Sequence, residues 1–189
     1  MARVEEQTGL DLGQRRDYTA LAVIELTWTH IGRDAVTFEE VFQPSLILCG
    51  LRRFPLGTPY AAYPPIVARW INQIRVKAGL GTDITLAVDA GGPGPPVIDM
   101  LRQRLARRAS LRPIIITGGK GQNTLSRGYT GVPRRTLLSD ALLVVANNTL
   151  RIPPDLENAA ELELEFAGLR SAAEPAAHDD LVMAVALGI

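Results

Sequence analysis

Cysteine, lysine and histidine are all scarce in this chain. Cys49 is the one thiol among 189 residues, which excludes a disulfide framework and any zinc site built on thiolates, and makes a reducing interior the natural setting. Lys77 and Lys120 are the only lysines and every other basic residue is arginine; that bias suits bidentate contact with phosphate and surface ion pairs alike, and a GC-rich genome also produces it. Net charge is absent, with 20 basic residues against 20 acidic, so no overall basic field announces a nucleic-acid partner, though local patches are compatible with neutrality. No apolar run approaches the roughly 18 to 20 residues of a membrane helix, and no signal-peptide pattern is found. A soluble, intracellular protein with no membrane partner is expected. There is also no internal repeat, low-complexity tract or long linker.

What the chain does have is apolar residues, 47% of the total, enough for one sizeable core and, at this length, a single domain over residues 1–189. Alternation and β-branched content predict a short strand from Thr8 to Gly13, a longer one from Tyr18 to Trp28 and, after a turn around Gly32-Arg33-Asp34, a third from Ala35 to Phe42, joined as an antiparallel meander. Pro64-Pro65 opens a helix running to about Ala78, with Ile66, Val67, Trp70 and Ile74 at helical spacing. DITLAVD, residues 83–89, reads as a buried strand, AGGPGPP as a turn, Val97 to Ala109 as a helix and LRPIIIT, residues 111–117, as a second buried strand. Strand, helix and strand make one crossover unit, for which a parallel sheet is expected. A Gly-rich excursion over 118–135 precedes an apolar helix from about Arg134 to Asn147, an extended piece at Leu150 to Pro153, and a helix through the Glu-rich stretch 155–167. The sum is an α/β fold whose mixed central sheet combines the meander with parallel strands, with helices on both faces.

The most informative stretch is the end of the chain, HDDLVMAVALGI, residues 178–189. From Leu181 to Leu187 it is apolar all round, which describes a helix buried on every side, yet two aspartates stand at its mouth. One of them can cap the free N–H groups of the helix start, leaving the other spare. Two further acidic residues border apolar runs. Asp11 lies in TGLDLG, on one face with Gly9 and Gly13, where an ionised carboxylate costs several kcal/mol unless something replaces the lost water. Asp89 ends its strand at the Gly-rich turn, where open α/β sheets place their ligands. Ordinary local roles exist for each: a salt bridge of Asp11 with Arg15 or Arg16, and capping of the next helix by Asp89. Taken together, the acidic sites point to one cluster. Crowded carboxylates stay ionised only if cations neutralise them, and an oxygen-rich set without cysteine favours Mg²⁺ or Mn²⁺ over zinc. Two such ions roughly 4 Å apart suit in-line attack on a phosphodiester.

GLDLGQRRDYTALAVIE, LAVDAGGPGPPVIDML and HDDLVMAVALG, with IIITGG and LRIP between them, resemble the C-terminal nuclease domain of tailed-bacteriophage terminase large subunits, the DNA-packaging motors, over about residues 8 to 189. The resemblance implies an RNase H-like fold of the resolvase type and endonucleolytic cutting of double-stranded DNA with two divalent ions, Mg²⁺ or Mn²⁺. It makes Asp11, Asp89 and Asp180 the catalytic metal ligands, with Asp179 an alternative or supplement to Asp180. Asp17 is ranked as a turn residue, and His178 as structural with a possible place near the metals. The wider motor implied is an ATPase domain, the portal and the small terminase subunit, working in the cytoplasm of a bacterial host and transiently at the procapsid portal. No GxxxxGK[ST] loop occurs, so an excised domain or a stand-alone nuclease is expected.

DNA contact needs positive charge beside an acidic centre. Lys120, Arg127, Arg134 and Arg135 in the Gly-rich excursion are the candidates for gripping phosphates, with a solvated loop as the plain alternative. Arg102, Arg104, Arg107 and Arg108 read as solvent-facing helix surface, and His30 as a turn residue. Two rival functions share the pattern: a non-catalytic RNase H-like module that binds DNA or the portal, and a fragment of an actin or sugar-kinase type ATPase, which the chain length disfavours.

Overall fold

The structure, a computed structural model, describes residues 3–13, 17–79, 81–91, 94–119, 121–125, 128–170 and 178–189. Its elements follow in chain order as strands β1 (Arg3–Asp11), β2 (Ala20–Arg33) and β3 (Glu40–Arg53), helix α1 (Tyr63–Ala78), strand β4 (Asp83–Asp89), helix α2 (Gly94–Leu105) and strand β5 (Ser110–Thr117). Strands β6 (Asn123–Thr124) and β7 (Thr130–Pro133), helix α3 (Arg134–Ala146), strand β8 (Leu150–Arg151), and helices α4 (Ala159–Arg170) and α5 (Asp180–Gly188) complete it. Among the described residues the strands form one eight-stranded sheet in the order β6-β7-β5-β4-β1-β2-β3-β8. The meander β1-β2-β3 is antiparallel, and β4 joins β1 in parallel on its other side. That places β1 near the middle of the sheet, with β5 and β7 continuing the parallel half.

Helices cover both faces, as the alternation of the strands requires. Leu10, Leu21, Val23, Leu86 and Val88 point to one side and pack under α1 and α2. Ala20, Ala22, Ile24 and Ala87 point to the other, under α3, α4 and α5. Helix α5 is buried along its whole length, from Asp180 to Gly188, and burying each of its leucines and valines contributes about 1.5 to 3 kcal/mol. It can lie so low because β1 has a glycine beneath it: a Cβ on Gly9 would sit 1.9 Å from the Ala184 carbonyl oxygen and 2.7 Å from the Gly188 nitrogen.

Several expected boundaries move. The first strand ends at Asp11 instead of running to Gly13, and begins earlier, at Arg3; Thr19 then pins the connection, its hydroxyl accepting from Gly13 N–H and donating to Gly13 C=O. Residues 35–39, expected in the third strand, form the hairpin turn, because the Asp34 carboxylate accepts the N–H groups of Val36 and Thr37; β3 starts at Glu40 and runs on to Arg53. His30 is accordingly a strand residue, its Nε2 in contact with the Glu40 carboxylate. Helix α2 stops at Leu105, short of Ala109, where Ala106 turns to a positive φ of 46°. The Glu-rich helix lies later than expected, at Ala159–Arg170. No helix among the described residues is long and apolar enough to cross a membrane.

Candidate metal centre

Period-two alternation along adjacent parallel strands decides where the acidic residues meet. Gly9 faces Ala87 across β1 and β4, so Asp11 and Asp89, two residues on, end their strands side by side on the same face. This is the face covered by α5, and the Gly9 contact holds the helix close enough for its first residue, Asp180, to come to the same end of the sheet. The proximity registers electrostatically. Burial, then Asp89, Asp180 and Asp17 in turn, hold the Asp11 carboxyl well above the usual carboxylate range, and the nearby Arg134 guanidinium opposes them. Burial also raises Asp89, against the N–H of Gly91 that its Oδ1 accepts at 2.8 Å.

Asp180 is 4% exposed and its Oδ2 accepts from Arg53 Nε at 2.6 Å, while Arg53 Nη2 pairs with Glu165. Asp179 pairs with Arg134 instead of capping. The expectation that one of the two aspartates caps α5 is corrected: Asp179 occupies the cap position without a side-chain cap bond, and the acceptor is Glu165 on α4, whose Oε2 takes the Val182 N–H at 3.0 Å. A buried helix start must have its donors satisfied, and a carboxylate reaching over from the next helix does so while freeing Asp180. Burial raises the Glu165 carboxyl and the Val182 N–H lowers it.

Arg53, Glu165 and Tyr18 have no counterpart in the sequence analysis. Arg53 lies over the Tyr18 ring, 5.0 Å from its centroid, and His178 meets that ring edge-on at 5.1 Å. His178 Nδ1 stands 3.9 Å from Asp180 Oδ1, so it borders the acidic end. Arg134 and Arg135 open α3 exposed to solvent. Lys120 and Arg127 lie outside the described residues, as do Arg15 and Arg16. Arg102, Arg104, Arg107 and Arg108 are solvent-exposed as expected, Arg102 paired with Asp99.

Among the described residues no group of three or more His, Cys, Asp or Glu side chains stands close enough together to hold a metal ion. The donor chemistry nevertheless fits a hard divalent cation. Among the described residues no hydrogen bond or ion pair reaches Asp11, and Asp89 and Asp180 each commit one oxygen, Oδ1 and Oδ2 respectively. Three carboxylates from three elements thus keep oxygens toward one end of the sheet, with the neighbouring acidic charge of Asp180 and Asp179 balanced by arginines.

No protein-family model and no curated protein matches the sequence. Solved structures do match in fold. The human cytomegalovirus terminase nuclease domain soaked with Mn superposes with a TM-score of 0.62 at 12% identity, covering 98% of this chain and 82% of that one. The same domain with an inhibitor bound gives 0.60, also at 12% identity, over 97% and 80%. The nuclease domain of g2p, the large terminase of bacteriophage SPP1, with bound Mn, gives 0.51 at 12% identity over 97% and 84%. Sheet order, helix placement and these superpositions together show that this chain has the RNase H-like fold of the viral terminase nuclease domains.

Proposed function

We propose that the chain is a divalent-metal-dependent endonuclease that cuts double-stranded DNA during viral genome packaging. The observation that carries the reading is the arrival of Asp11, Asp89 and Asp180, from two strand ends and a helix start, at one end of the sheet. The Mn soaked into the cytomegalovirus terminase nuclease domain and bound to that of SPP1 supports it. Asp11, Asp89 and Asp180 would hold two Mg²⁺ or Mn²⁺ ions, with Asp179 able to add an oxygen when Arg134 releases it. The bound ions would supply Lewis acidity for in-line attack of water on a phosphodiester.

The protein's own residues set the rest. Asp11, half-buried and crowded by like charge, is a carboxylate whose ionised form gains most from a cation. Arg53 fixes Asp180 in orientation and balances Glu165, so that α5 keeps its place under the site. Arg134 and Arg135, with Lys120 and Arg127, would grip the phosphate backbone and leave the bases unread, giving little sequence preference. In this reading an ATPase domain, the portal and the small terminase subunit deliver the DNA within the host cytoplasm.

The test is plasmid digestion in Mg²⁺, in Mn²⁺ and in EDTA, with Asp11→Ala, Asp89→Ala and Asp180→Ala beside the wild type. Metal-dependent linearisation lost in all three variants is the expected result. Equal cutting by the variants would remove the assignment, and a wild type that binds DNA without cutting it would make the chain a binding module.

A further inference from the structure

We propose that the chain carries a second ligand site, on the opposite face of the sheet from the acidic centre, for an organic ammonium ion with an apolar body: the cation at Glu6 and Glu25, the body against Trp70, Val23 and Ile47. The site is a cavity of about 970 Å³ between the C-terminal half of α1, strands β2 and β3, and the chain around Pro153 to Leu156. That is the size at which small-molecule pockets are found.

The floor is acidic and unsatisfied. Glu6 is 6% exposed, lines the cavity, and its Oε2 is buried with no hydrogen-bond partner. Glu25 is its register partner across β1 and β2, so two carboxylates stand directly opposite each other on one face, an arrangement that destabilises a sheet when nothing intervenes. Burial and Glu25 push the Glu6 carboxyl up to about 7, and Lys77 draws it down. Lys77 is exposed on α1, and among the described residues no ion pair joins it to either carboxylate. A buried acceptor without a donor is destabilising, and a donor-bearing cation entering the cavity removes that cost.

The walls select the rest of the ligand. Trp70 packs against Gly50, where a Cβ would approach the edge of its ring to 3.1 Å, so the glycine leaves room for the indole in the cavity wall. Val23 and Ile47 add aliphatic surface. Arg69, Lys77 and Asp155 also line the cavity but are exposed to solvent; the two carboxylates of its floor offer too few oxygens for a hard divalent ion, which takes six or more, and they repel an anion. An ammonium group on an aromatic or aliphatic stem matches both parts.

The probe is 2-phenylethylammonium, with neutral 2-phenylethanol as its control, titrated into the protein and followed by backbone amide shifts. Saturable shifts around Glu6, Glu25 and Trp70 are expected, with the amine binding at least about tenfold tighter than the alcohol. Glu6→Gln should erase that preference and leave the alcohol unaffected, while Trp70→Leu should weaken both. Asp11→Asn should change neither, separating this site from cations gathered at the acidic centre; loss of amine binding in that variant would overturn the proposal. So would equal binding of amine and alcohol by the wild type, or amine binding by Glu25→Gln and Glu6→Gln as tight as wild type.

Discussion

Asp11 and Glu6 are carboxylates on the same strand, and alternation sends them to opposite faces of the sheet. Both are pushed upward first by burial, yet their surroundings differ in kind. Asp11 ends its strand and feels charges from β4, α5, the connection that holds Asp17, and α3. Glu6 lies in mid-strand and feels only Glu25 and Lys77. An expensive carboxylate is therefore not a signature of one chemistry. Convergence of several chain segments on an open sheet end suits reaction on a large substrate, whereas a carboxylate pair under a helix suits capture of something small.

The largest difference between the two faces should appear on replacing each carboxylate with its amide. Asp11→Asn should lower plasmid cutting by at least about 10³-fold, a barrier increase of about 4 kcal/mol, while leaving the melting temperature in EDTA at or above that of wild type. The sign follows from the raised pKa: folding favours the protonated form of Asp11, so its ionisation costs stability as pH rises, and a neutral side chain escapes that cost. Mn²⁺ should raise the melting temperature of wild type more than that of the variant. Cutting retained by Asp11→Asn would dissolve the contrast with Glu6, whose amide variant should cut normally.

The acidic centre also depends on how low α5 sits, a dependence the Glu6 side lacks. Gly9→Ala places a methyl group against the Ala184 carbonyl, and backbone on both sides must move. We expect a loss of about 3 kcal/mol or more in chemical denaturation, with cutting reduced even where the protein is folded, because Asp180 moves away from Asp11. At Gly50, by comparison, a Cβ meets the edge of the Trp70 ring at 3.1 Å, and a side chain can give way. A Gly9→Ala protein with wild-type stability would mean that the strand and helix are not in close contact.

How far each region can be read from the sequence follows the same division. Strand β4 is legible to the residue, Asp83–Asp89, because a run of buried apolar residues is bounded by two acidic ones. Helix α1 is announced by the prolines in its first turn, and the burial of α5 by its lack of any polar face. The acidic residues of the centre stand out because each interrupts or ends an apolar run. By contrast, the outer halves of β2 and β3 extend beyond the core, where Ile31 in β2 and Val36 and Phe38 in the hairpin turn are exposed and alternation carries no information; the turn expected around Gly32-Arg33-Asp34 accordingly falls a few residues later, over 34–39. The hairpin of β6 and β7 is too short to show a period. Glu165 sits in ELELEFAG, which reads as a solvated helix face, and its reach to Val182 depends on how α4 packs against α5. Arg53 is one of many arginines, distinguished only by what it meets in space.

Arg53 tests whether the arginines hold the acidic face in place. Its guanidinium serves Asp180 and Glu165 together, at 20% exposure of its own side chain. Arg53→Met leaves two buried carboxylates without a counter-ion, and removing one partner of a buried pair is strongly destabilising. Folding should lose about 2 to 3 kcal/mol, and adding Glu165→Gln should restore part of it, since an amide oxygen can still accept the Val182 N–H. Strictly additive losses in the double variant would show that Arg53 and Glu165 act independently.

The effect at Glu6 touches stability alone, and it has the opposite sign at neutral pH. With its carboxyl raised from 4.5 to about 7, the folded protein binds that proton more tightly than the unfolded chain does. The resulting stability is complete below 4.5 and is lost as pH rises through about 7. Glu6→Gln removes this dependence, so above that range the variant should be the more stable by up to about 3 kcal/mol, and below pH 4.5 the difference should vanish. Urea unfolding at the two ends of the interval measures it. Glu25→Gln should produce a weaker version, because it removes the neighbouring charge and leaves the burial of Glu6 intact. Should Glu6→Gln instead destabilise the protein at high pH, Glu6 must have a donor in the folded state, and the cavity floor would already be satisfied.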